Sequence, residues 1–156
     1  MVTITMAATA ASNRSIDLVR AFNDDVFNGR EYDRMADLQA EEYVQHGPMA
    51  GMELHGSAAA AELMRTFHNA FSDLESTEEL AFSDEAGEYV YTAYTYRGTH
   101  DGEFMGIPPT DVEAEVRGMD VHRIEDGKIA ESWLQADFLA LLEQIGVVPS
   151  MDDIAA

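Results

Sequence analysis

The chain has 156 residues and a formal net charge of −21, with 30 Asp and Glu against 9 Lys and Arg. This length suits a single domain with a sizeable core, and the absence of cysteine excludes disulfides, thiolate metal sites and cysteine nucleophiles. No apolar run approaches the roughly 20 residues of a membrane-spanning helix. The clustered Lys and Arg that nucleic acids and anionic membranes require are also missing. We therefore expect neither as a partner.

The acid excess is the most unusual bulk property of the chain. Hydrophobic residues make up 46% of it, which favours a packed core over an acidic disordered chain. Lys128 is the single lysine. A halophilic cytoplasm favours a folded surface that is rich in acidic residues and poor in lysine, because salt screens the repulsion between the carboxylates. The first residues, MVTITMAATAAS, carry no basic residue and do not resemble a signal peptide. We expect a cytoplasmic protein.

Three helices are predicted in the first half of the chain. Ser12 or Ser15 can cap the first, which runs to about Asn28. A short second helix is predicted at 31–39, and a third at 57–71. The third is supported by apolar residues at helical spacing, namely Ala60, Leu63, Met64, Phe67 and Phe71.

Strands dominate the second half. They are predicted at 41–46, 75–83, 88–98 and in a hairpin within 112–137, with loops at 49–56 and 98–110 and a last helix at 138–145. Helices segregated beside antiparallel strands indicate an α+β fold. We predict one domain over 13–148, with a flexible N-terminal tail at 1–12 and a C-terminal tail at 149–156.

The hairpin is the clearest local signal in the sequence. Asp126-Gly127 suits a two-residue type I′ turn. A regular ladder from that turn predicts these facing pairs: Ile124 with Ile129, His122 with Glu131, Asp120 with Trp133, and Val116 with Asp137. Asp120, His122, Trp133 and Asp137 then share one face of the ribbon, which indicates a ligand pocket.

The opposite face of the ribbon is apolar. It carries Met119, Val121, Leu134 and Ala136 in the same register. Such a face can pair with another copy of the chain. We therefore expect a homodimer or a higher homo-oligomer.

Three segments carry a resemblance to a known family. They are YVQHGP at 43–48, GTHDGEFMGIPPT at 98–110, and DGKIAESW at 126–133, the last followed by Asp137 and by Gln144-Ile145-Gly146. In this order they resemble the SnoaL-like polyketide cyclases, within the superfamily that shares the nuclear transport factor 2 fold. The resemblance extends from about Ser15 to Gly146.

The resemblance implies a fold and a reaction. The fold is a cone-shaped curved antiparallel β-sheet packed on N-terminal helices, a cystatin-like α+β barrel. Enzymes of the family close a ring by intramolecular aldol condensation, without metal or cofactor, and relatives in the superfamily isomerise, dehydrate or only bind ligands. The resemblance also implies that Asp137 is the catalytic acid/base and that His122 assists it. The ligand is then a small apolar carbonyl compound.

The chemistry of Asp137 allows two interpretations. A carboxylate in an apolar cavity can act as a base, because desolvation raises its pKa toward neutrality. However, Asp137 directly precedes the last helix and would also make a good N-cap. In the regular register His122 lies roughly 20 Å along the sheet from Asp137, so a direct pair does not follow. Asp120 beside Trp133, with His122 on the same strand face, is the alternative site, although Asp120 and His122 can equally form a structural hydrogen bond.

Other residues are weaker candidates for ligand binding. His46 ends a strand beside Gly47-Pro48, where it reaches a cavity mouth or bonds loop backbone. His100 lies in the Gly-rich loop, and Tyr43 lies in the first resembling segment. The tyrosines at 89, 91, 94 and 96 split between two faces of their strand, so at most two of them can line a cavity.

We expect no metal site, because the five histidines show neither an i, i+4 pair nor a compact cluster. No phosphate-binding loop or dinucleotide motif is present either, and the resemblance implies an enzyme that needs no cofactor. The alternatives to a cyclase are an isomerase or dehydratase on the same fold, or a ligand-binding module without catalysis.

Overall fold

The computed structural model describes residues 9–49 and 51–155. The α-helices are α1 Ala10–Ala21, α2 Met35–Leu38, α3 Ser57–Ala70, α4 Phe138–Gln144 and α5 Met151–Ala155. A π-helical segment, Phe22–Asn28, directly continues α1, and a 3-10 turn, Tyr32–Arg34, precedes α2. The strands are β1 Gln39–His46, β2 Glu53–His55, β3 Glu75–Ser83, β4 Tyr89–Thr99, β5 Glu113–Glu125 and β6 Lys128–Ala136.

The predicted α+β architecture is confirmed. The strands form a single curved sheet in the order β2-β1-β6-β5-β4-β3, and the sheet does not close into a barrel. One pairing differs from the antiparallel expectation, because β1 runs parallel to β6. The helices cover the concave face, with α1 against β3 and β4 and with α3 against β1 and β2.

The helix predictions are confirmed in place and corrected in detail. Thr9 rather than Ser12 or Ser15 caps α1, by accepting a hydrogen bond from the Ser12 N–H. The predicted helix at 31–39 is only a 3-10 turn and four residues of α2, and the predicted loop at 49–56 contains the short edge strand β2. Helix α5 lies within the predicted C-terminal tail. Of the predicted N-terminal tail, residues 1–8 lie outside the described part of the chain.

The hairpin turn is confirmed, but the register beyond it is wrong. Asp126 and Gly127 have φ angles of 50° and 73°, as a type I′ turn demands, and Ile124 faces Ile129 as predicted. The register then shifts, so that Arg123 rather than His122 faces Glu131. Ala130 is therefore the extra residue of a β-bulge, which turns every later β6 side chain to the opposite face.

The core consists of two clusters of buried apolar side chains. One includes Val19 of α1, Met35 of α2, Val90 of β4 and Ile129 of β6. The other is formed by Ala70, Phe71, Phe104, Ala114, Leu141 and Ile145, and it packs α4 and the 98–110 loop against the sheet. No helix among the described residues is long and apolar enough to cross a membrane.

Candidate active site

A cavity of about 150 Å³ lies between the helices and the concave face of the sheet. Its wall is mainly apolar and includes Phe22, Phe27, Met64, Phe67 and Phe71. The polar and ionisable groups on it are few: Asn23, Tyr43, Gln45, Tyr94, Tyr96, Asp120, His122, Gln135 and Asp137. An apolar cavity with a few converging polar groups is the usual form of a small-molecule site.

Asp120 is the buried carboxyl group of this cavity. Its residue is 7% exposed, and burial raises the pKa of the carboxyl to about 7. Hydrogen bonds from the Tyr96 hydroxyl and from the Gln135 backbone N–H oppose that rise. A carboxyl with this pKa can both take and return a proton near neutral pH.

Tyr96 connects β4 to Asp120. Its hydroxyl lies 3.3 Å from Asp120 Oδ2, and burial, followed by the charge of Asp120, raises the pKa of the hydroxyl. Gly118 of β5 makes room for the ring, because a Cβ there would lie 2.6 Å from Tyr96 Cε2 and 3.0 Å from the Gln135 carbonyl oxygen. The glycine is therefore part of what places the hydroxyl beside Asp120.

His122 lies two residues beyond Asp120 on the same face of β5, about 7 Å along the strand. Its Nδ1 is 2.8 Å from Ser132 Oγ, and burial lowers the pKa of the ring to about 4. The imidazole is thus neutral near pH 7. Asp120 and His122 share the cavity wall, but their hydrogen bonds go to different partners, Tyr96 and Ser132.

The position of Asp137 is compatible with both of its predicted roles, a carboxylate in the cavity and the N-cap of the last helix. It lines the cavity, and its Oδ1 accepts a hydrogen bond of 2.9 Å from the Ala140 N–H as the N-cap of α4. Its backbone N–H bonds the Arg117 carbonyl oxygen, which is five residues along β5 from His122, roughly 16 Å. The structure therefore does not bring Asp137 and His122 together as a pair.

The β-bulge removes Trp133 from the predicted site. Asp120 faces Leu134, and Trp133 faces Val121 on the convex face of the sheet. There Trp133 stacks on His46, with ring centroids 5.3 Å apart. His46 also bonds Glu131 Oε1 at 2.8 Å. The predicted Asp120–Trp133 contact is wrong, and both Trp133 and His46 lie outside the cavity wall.

His100 and Tyr43 occupy different environments. His100 is completely buried, where its Nδ1 bonds Thr110 Oγ1 at 3.0 Å and its ring packs on Phe71. It holds the 98–110 loop and does not line the cavity. Tyr43 does line the cavity, and burial raises the pKa of its hydroxyl.

The sequence reasoning missed Tyr96, Gln45 and Ser132 as parts of this site. Strand alternation limited the β4 tyrosines of the cavity to two, and Tyr94 and Tyr96 are the two that line it, in addition to Tyr43 of β1. A glycine two residues before Asp120 was the available signal for Tyr96, because a strand glycine often marks close approach of another group. Ser132 carried no such signal. The bulge alone turns Ser132 inward.

In the described part of the chain, no group of three or more His, Asp or Glu side chains is arranged to hold a metal ion. The side chains of the cavity wall supply a carboxyl that titrates near neutrality, a neutral imidazole and three phenols.

The pattern of the SnoaL-like polyketide cyclases matches residues 17–145. The chain belongs to this family. It is 30% identical over 132 residues to the aklanonic acid methyl ester cyclase DauD of Streptomyces sp. (strain C5), covering 84% of the chain and 81% of DauD. It is 31% identical over 133 residues to the nogalonic acid methyl ester cyclase of Streptomyces nogalater, covering 83% of the chain and 92% of that enzyme.

Solved structures show the same fold. A SnoaL-like protein of Jannaschia sp. CCS1 superposes with a TM-score of 0.83 at 18% identity, over 92% of this chain and 99% of that one. IdmH of Streptomyces antibioticus superposes with a TM-score of 0.73 at 28% identity, over 85% of this chain and 99% of that one. The family match and the two cyclase relatives together support a cyclase enzyme.

Proposed function

We propose that this cyclase closes a ring in a small apolar carbonyl compound by an intramolecular aldol reaction, with Asp120 as the acid/base. The observation that carries the proposal is a buried carboxyl on the cavity wall whose pKa is raised to about 7. A base of that pKa is ionised in a large fraction of molecules near neutral pH. Its conjugate acid is still strong enough to return the proton.

The reaction needs one proton to move twice. Ionised Asp120 takes a proton from the carbon between two carbonyl groups, and the C–H electron pair becomes an enolate. The enolate carbon attacks a second carbonyl of the same molecule, forming a C–C bond and an alkoxide. Protonated Asp120 then returns the proton to that alkoxide, so the carboxylate is regenerated. A hydroxyl such as that of Tyr96 can stabilise negative charge as it develops.

The charge of the cavity wall favours a neutral ligand. The residues that line it include Asp120 and Asp137 but neither Lys nor Arg. A ligand carboxylate would meet two acidic groups without a counter-charge, in a chain of net charge −21. A polyketide ester, like the methyl esters that name the two relatives, fits this environment better than the corresponding free acid.

Two alternatives follow from Asp137. As the acid/base, it would act from the cavity mouth with His122 unengaged in the proton transfer. If Asp137 serves only as a helix cap and the cavity is closed to ligands, the protein is better interpreted as a binding module without catalysis. The bond to Ala140 favours a structural role for Asp137, whereas the open cavity and the raised pKa of Asp120 favour catalysis. Asp120 is therefore the base we propose.

Turnover by matched variants tests this assignment. Aklanonic acid methyl ester and nogalonic acid methyl ester are the first probes, followed by chromatography of substrate and cyclised product in molar KCl. We expect Asp120→Asn to lower kcat by about 100-fold or more, with its circular dichroism spectrum unchanged. Asp137→Asn is the matched control. Loss of turnover in Asp137→Asn but not in Asp120→Asn would make Asp137 the base, and neither binding nor turnover by the wild type would contradict the cyclisation.

We also propose that the convex face of the sheet pairs two copies of the chain. Facing residues of four strands form an apolar row across it, consisting of Phe82, Tyr91, Val121 and Trp133. Leu80 and Met119 beside the row are 54% and 72% exposed. The bulge corrects the predicted face, because Leu134 and Ala136 line the cavity instead.

The charges around this row favour a second copy of the chain as the occupant. Arg123, two residues from Val121 on β5, is paired with Glu125 and Glu131, and Arg97, farther along β4, is paired with Glu113, so part of the acidic charge beside the row is offset within the subunit. Twisted sheets pack face to face at about 10 Å, and a two-fold axis makes one patch self-complementary. The proposed pairing therefore uses a part of the surface where basic side chains offset some of the acidic charge.

The halophilic setting is likewise a proposal. The surplus of 21 acidic charges is compatible with a salt-rich cytoplasm that screens it. Exposed carboxylates without a basic neighbour repel one another in dilute buffer, which lowers the free energy of unfolding there.

A further inference from the structure

A row of aromatic rings leads from Asp120 to a histidine of α3. Tyr96, whose hydroxyl bonds Asp120, packs on Phe27 with ring centroids 5.6 Å apart. Phe27 in turn packs edge to face on His68 at 5.0 Å. The Tyr32 hydroxyl lies 2.5 Å from His68 Nδ1. A continuous series of contacts therefore connects Tyr32 with the buried carboxyl group.

The π-helical segment brings Phe27 to the cavity. Its wide turn is closed by i→i+5 hydrogen bonds, such as the one of 2.8 Å from the Gly29 N–H to the Asp24 carbonyl oxygen. In an α-helix, Phe22 and Phe27 would lie about 140° apart around the axis, because each residue turns the chain by about 100°. The wider turn places residues five apart on nearly the same side, and both phenylalanines line the cavity. The segment thereby supplies the ring that packs on Tyr96.

Phe27 is held at its backbone and at its ring. The Arg30 guanidinium donates to the Phe27 carbonyl oxygen at 3.1 Å. It also donates to the carbonyl oxygens of Ser72 and Leu74, in the connection between α3 and β3, at 2.9 and 3.2 Å. The ring of Phe27 rests on His68, which is buried but is not among the residues that line the cavity. His68 is therefore placed to act on the site through Phe27 and not on a ligand directly.

We propose that His68 is a positioning residue, which holds Phe27 against Tyr96 and so keeps the tyrosine hydroxyl beside the carboxyl group of the cavity. Tyr32 acts one step behind, because its hydrogen bond restrains the imidazole. Rings packed at these distances restrain one another, and loss of one leaves a space into which its neighbour can move. The consequence for catalysis rests on the function proposed above, in which that carboxyl group is the acid/base.

His68 performs this role as a neutral ring. Burial, followed by the charge of Arg30, lowers the pKa of the imidazole to about 4, whereas burial raises the pKa of Asp120 to about 7. The imidazole therefore keeps one charge state over the range in which the carboxyl group titrates. A changed pKa of Asp120 in a His68 variant then reports the placement of Tyr96, because no charge has been removed.

The pKa of Asp120, measured without substrate, tests the proposal. The probe is the protein labelled with ¹³C at the aspartate carboxyl groups, titrated by NMR in molar KCl and assigned with Asp120→Asn. We expect His68→Ala to raise this pKa, as Tyr96→Phe does, because the hydroxyl that stabilises the carboxylate is displaced. His68→Phe restores a ring beside Phe27 and should reverse most of the shift. An unchanged pKa in His68→Ala, or equal shifts in the alanine and phenylalanine variants, would overturn the proposal.

A double variant distinguishes action through Tyr96 from a general loosening of the cavity. If His68 acts through the Tyr96 hydroxyl, His68→Ala should raise the pKa of Asp120 in the wild-type background and leave it unchanged in the Tyr96→Phe background. Equal shifts in the two backgrounds would contradict the positioning role. Ile145→Ala, which removes a buried side chain from the other core cluster, is the control and should not move this pKa. If His68→Ala does not fold, Tyr32→Phe removes the hydrogen bond to the ring, and the same comparison applies.

These titrations need no substrate, so their outcome is separate from that of the turnover test. If Asp120→Asn retains turnover, Asp120 is not the base, whereas its pKa still reports the placement of Tyr96. With Asp120 as the base, we expect the pH–rate profile of His68→Ala to move to higher pH while KM changes little, because His68 does not line the cavity. A raised KM with an unshifted profile would contradict the positioning role.

Discussion

The Tyr96 hydroxyl of β4 donates a hydrogen bond to Asp120 Oδ2 of β5 across 3.3 Å, inside the cavity. This bond favours the ionised carboxylate and so restrains a pKa that burial raises to about 7. In the proposed reaction these two residues therefore set the pH range in which Asp120 can remove a proton.

We expect Tyr96→Phe to move the pH–rate profile to higher pH. Loss of the donor destabilises the carboxylate and leaves its neutral form unaffected, so the pKa of Asp120 rises. The rate constant kcat of an enzyme that needs ionised Asp120 should increase with pH through about 7 in the wild type and reach half its maximum at higher pH in the variant. Initial rates between pH 5 and 9 measure this. An unshifted midpoint would place the titrating group elsewhere.

Asp120 should make the protein less stable as the pH rises. Its folded pKa of about 7 exceeds the ordinary value of 3.8, so the folded state binds its proton more tightly than the unfolded state does. This stabilisation is complete below pH 3.8 and is lost as the pH rises through 7. Its total is about 4 kcal/mol, at about 1.4 kcal/mol for each unit of pKa difference. Urea unfolding at pH 5 and pH 8 should show Asp120→Asn gaining stability relative to wild type at the higher pH.

Two replacements of Asp137 distinguish its role as a helix cap from a role of its carboxylate in catalysis. Serine also caps a helix N-terminus, so Asp137→Ser should keep most of the stability, whereas Asp137→Ala should lose about 1 kcal/mol of the free energy of unfolding. With Asp120 as the base, the serine variant should retain kcat within several-fold of wild type. Equal loss of kcat in the serine and alanine variants, with stability kept in serine, would point to catalysis by the carboxylate.

We expect the dimer proposed at the convex face to dissociate when one charged side chain is placed on that face of each subunit. Met119 is 72% exposed in the subunit, and in the proposed pair a lysine there would bury two unpaired like charges near the two-fold axis. We expect wild type to have the mass of a dimer by light scattering in molar KCl, and Met119→Lys the mass of a monomer. Ile154→Lys, on α5 outside the sheet and 65% exposed, is the matched control.

Salt should stabilise the protein strongly. Screening of the net charge of −21 shortens the range of repulsion from about 30 Å at 0.01 M salt to about 3 Å at 1 M. We expect the chain to unfold in dilute buffer and to refold in molar KCl, followed by circular dichroism. Equal melting temperatures in 0.01 M and 1 M KCl would contradict the halophilic interpretation.

Local chemistry made several features readable from the sequence. The Asp126-Gly127 turn, α3 with its apolar stripe, the last helix and its Asp137 cap all depend on residues that are close together in the chain. Turn angles, helix caps and side-chain periodicity are interactions over a few residues, so their sequence signals remain valid in the folded protein. The same local patterns gave the order of the elements and the α+β class, and the family resemblance added the curved sheet and the reaction.

The tertiary structure decided which residues meet. The one-residue bulge at Ala130 reverses the facing of β6, so Ser132 and Leu134 turn toward the cavity and Trp133 turns away from it. Alternation has a period of two, and a single extra residue inverts every assignment beyond it. The raised pKa of Asp120 likewise arises from burial by distant segments of the chain. The sequence determined the secondary-structure elements and the types of chemical group available, whereas packing across the sheet determined which carboxyl group is desolvated.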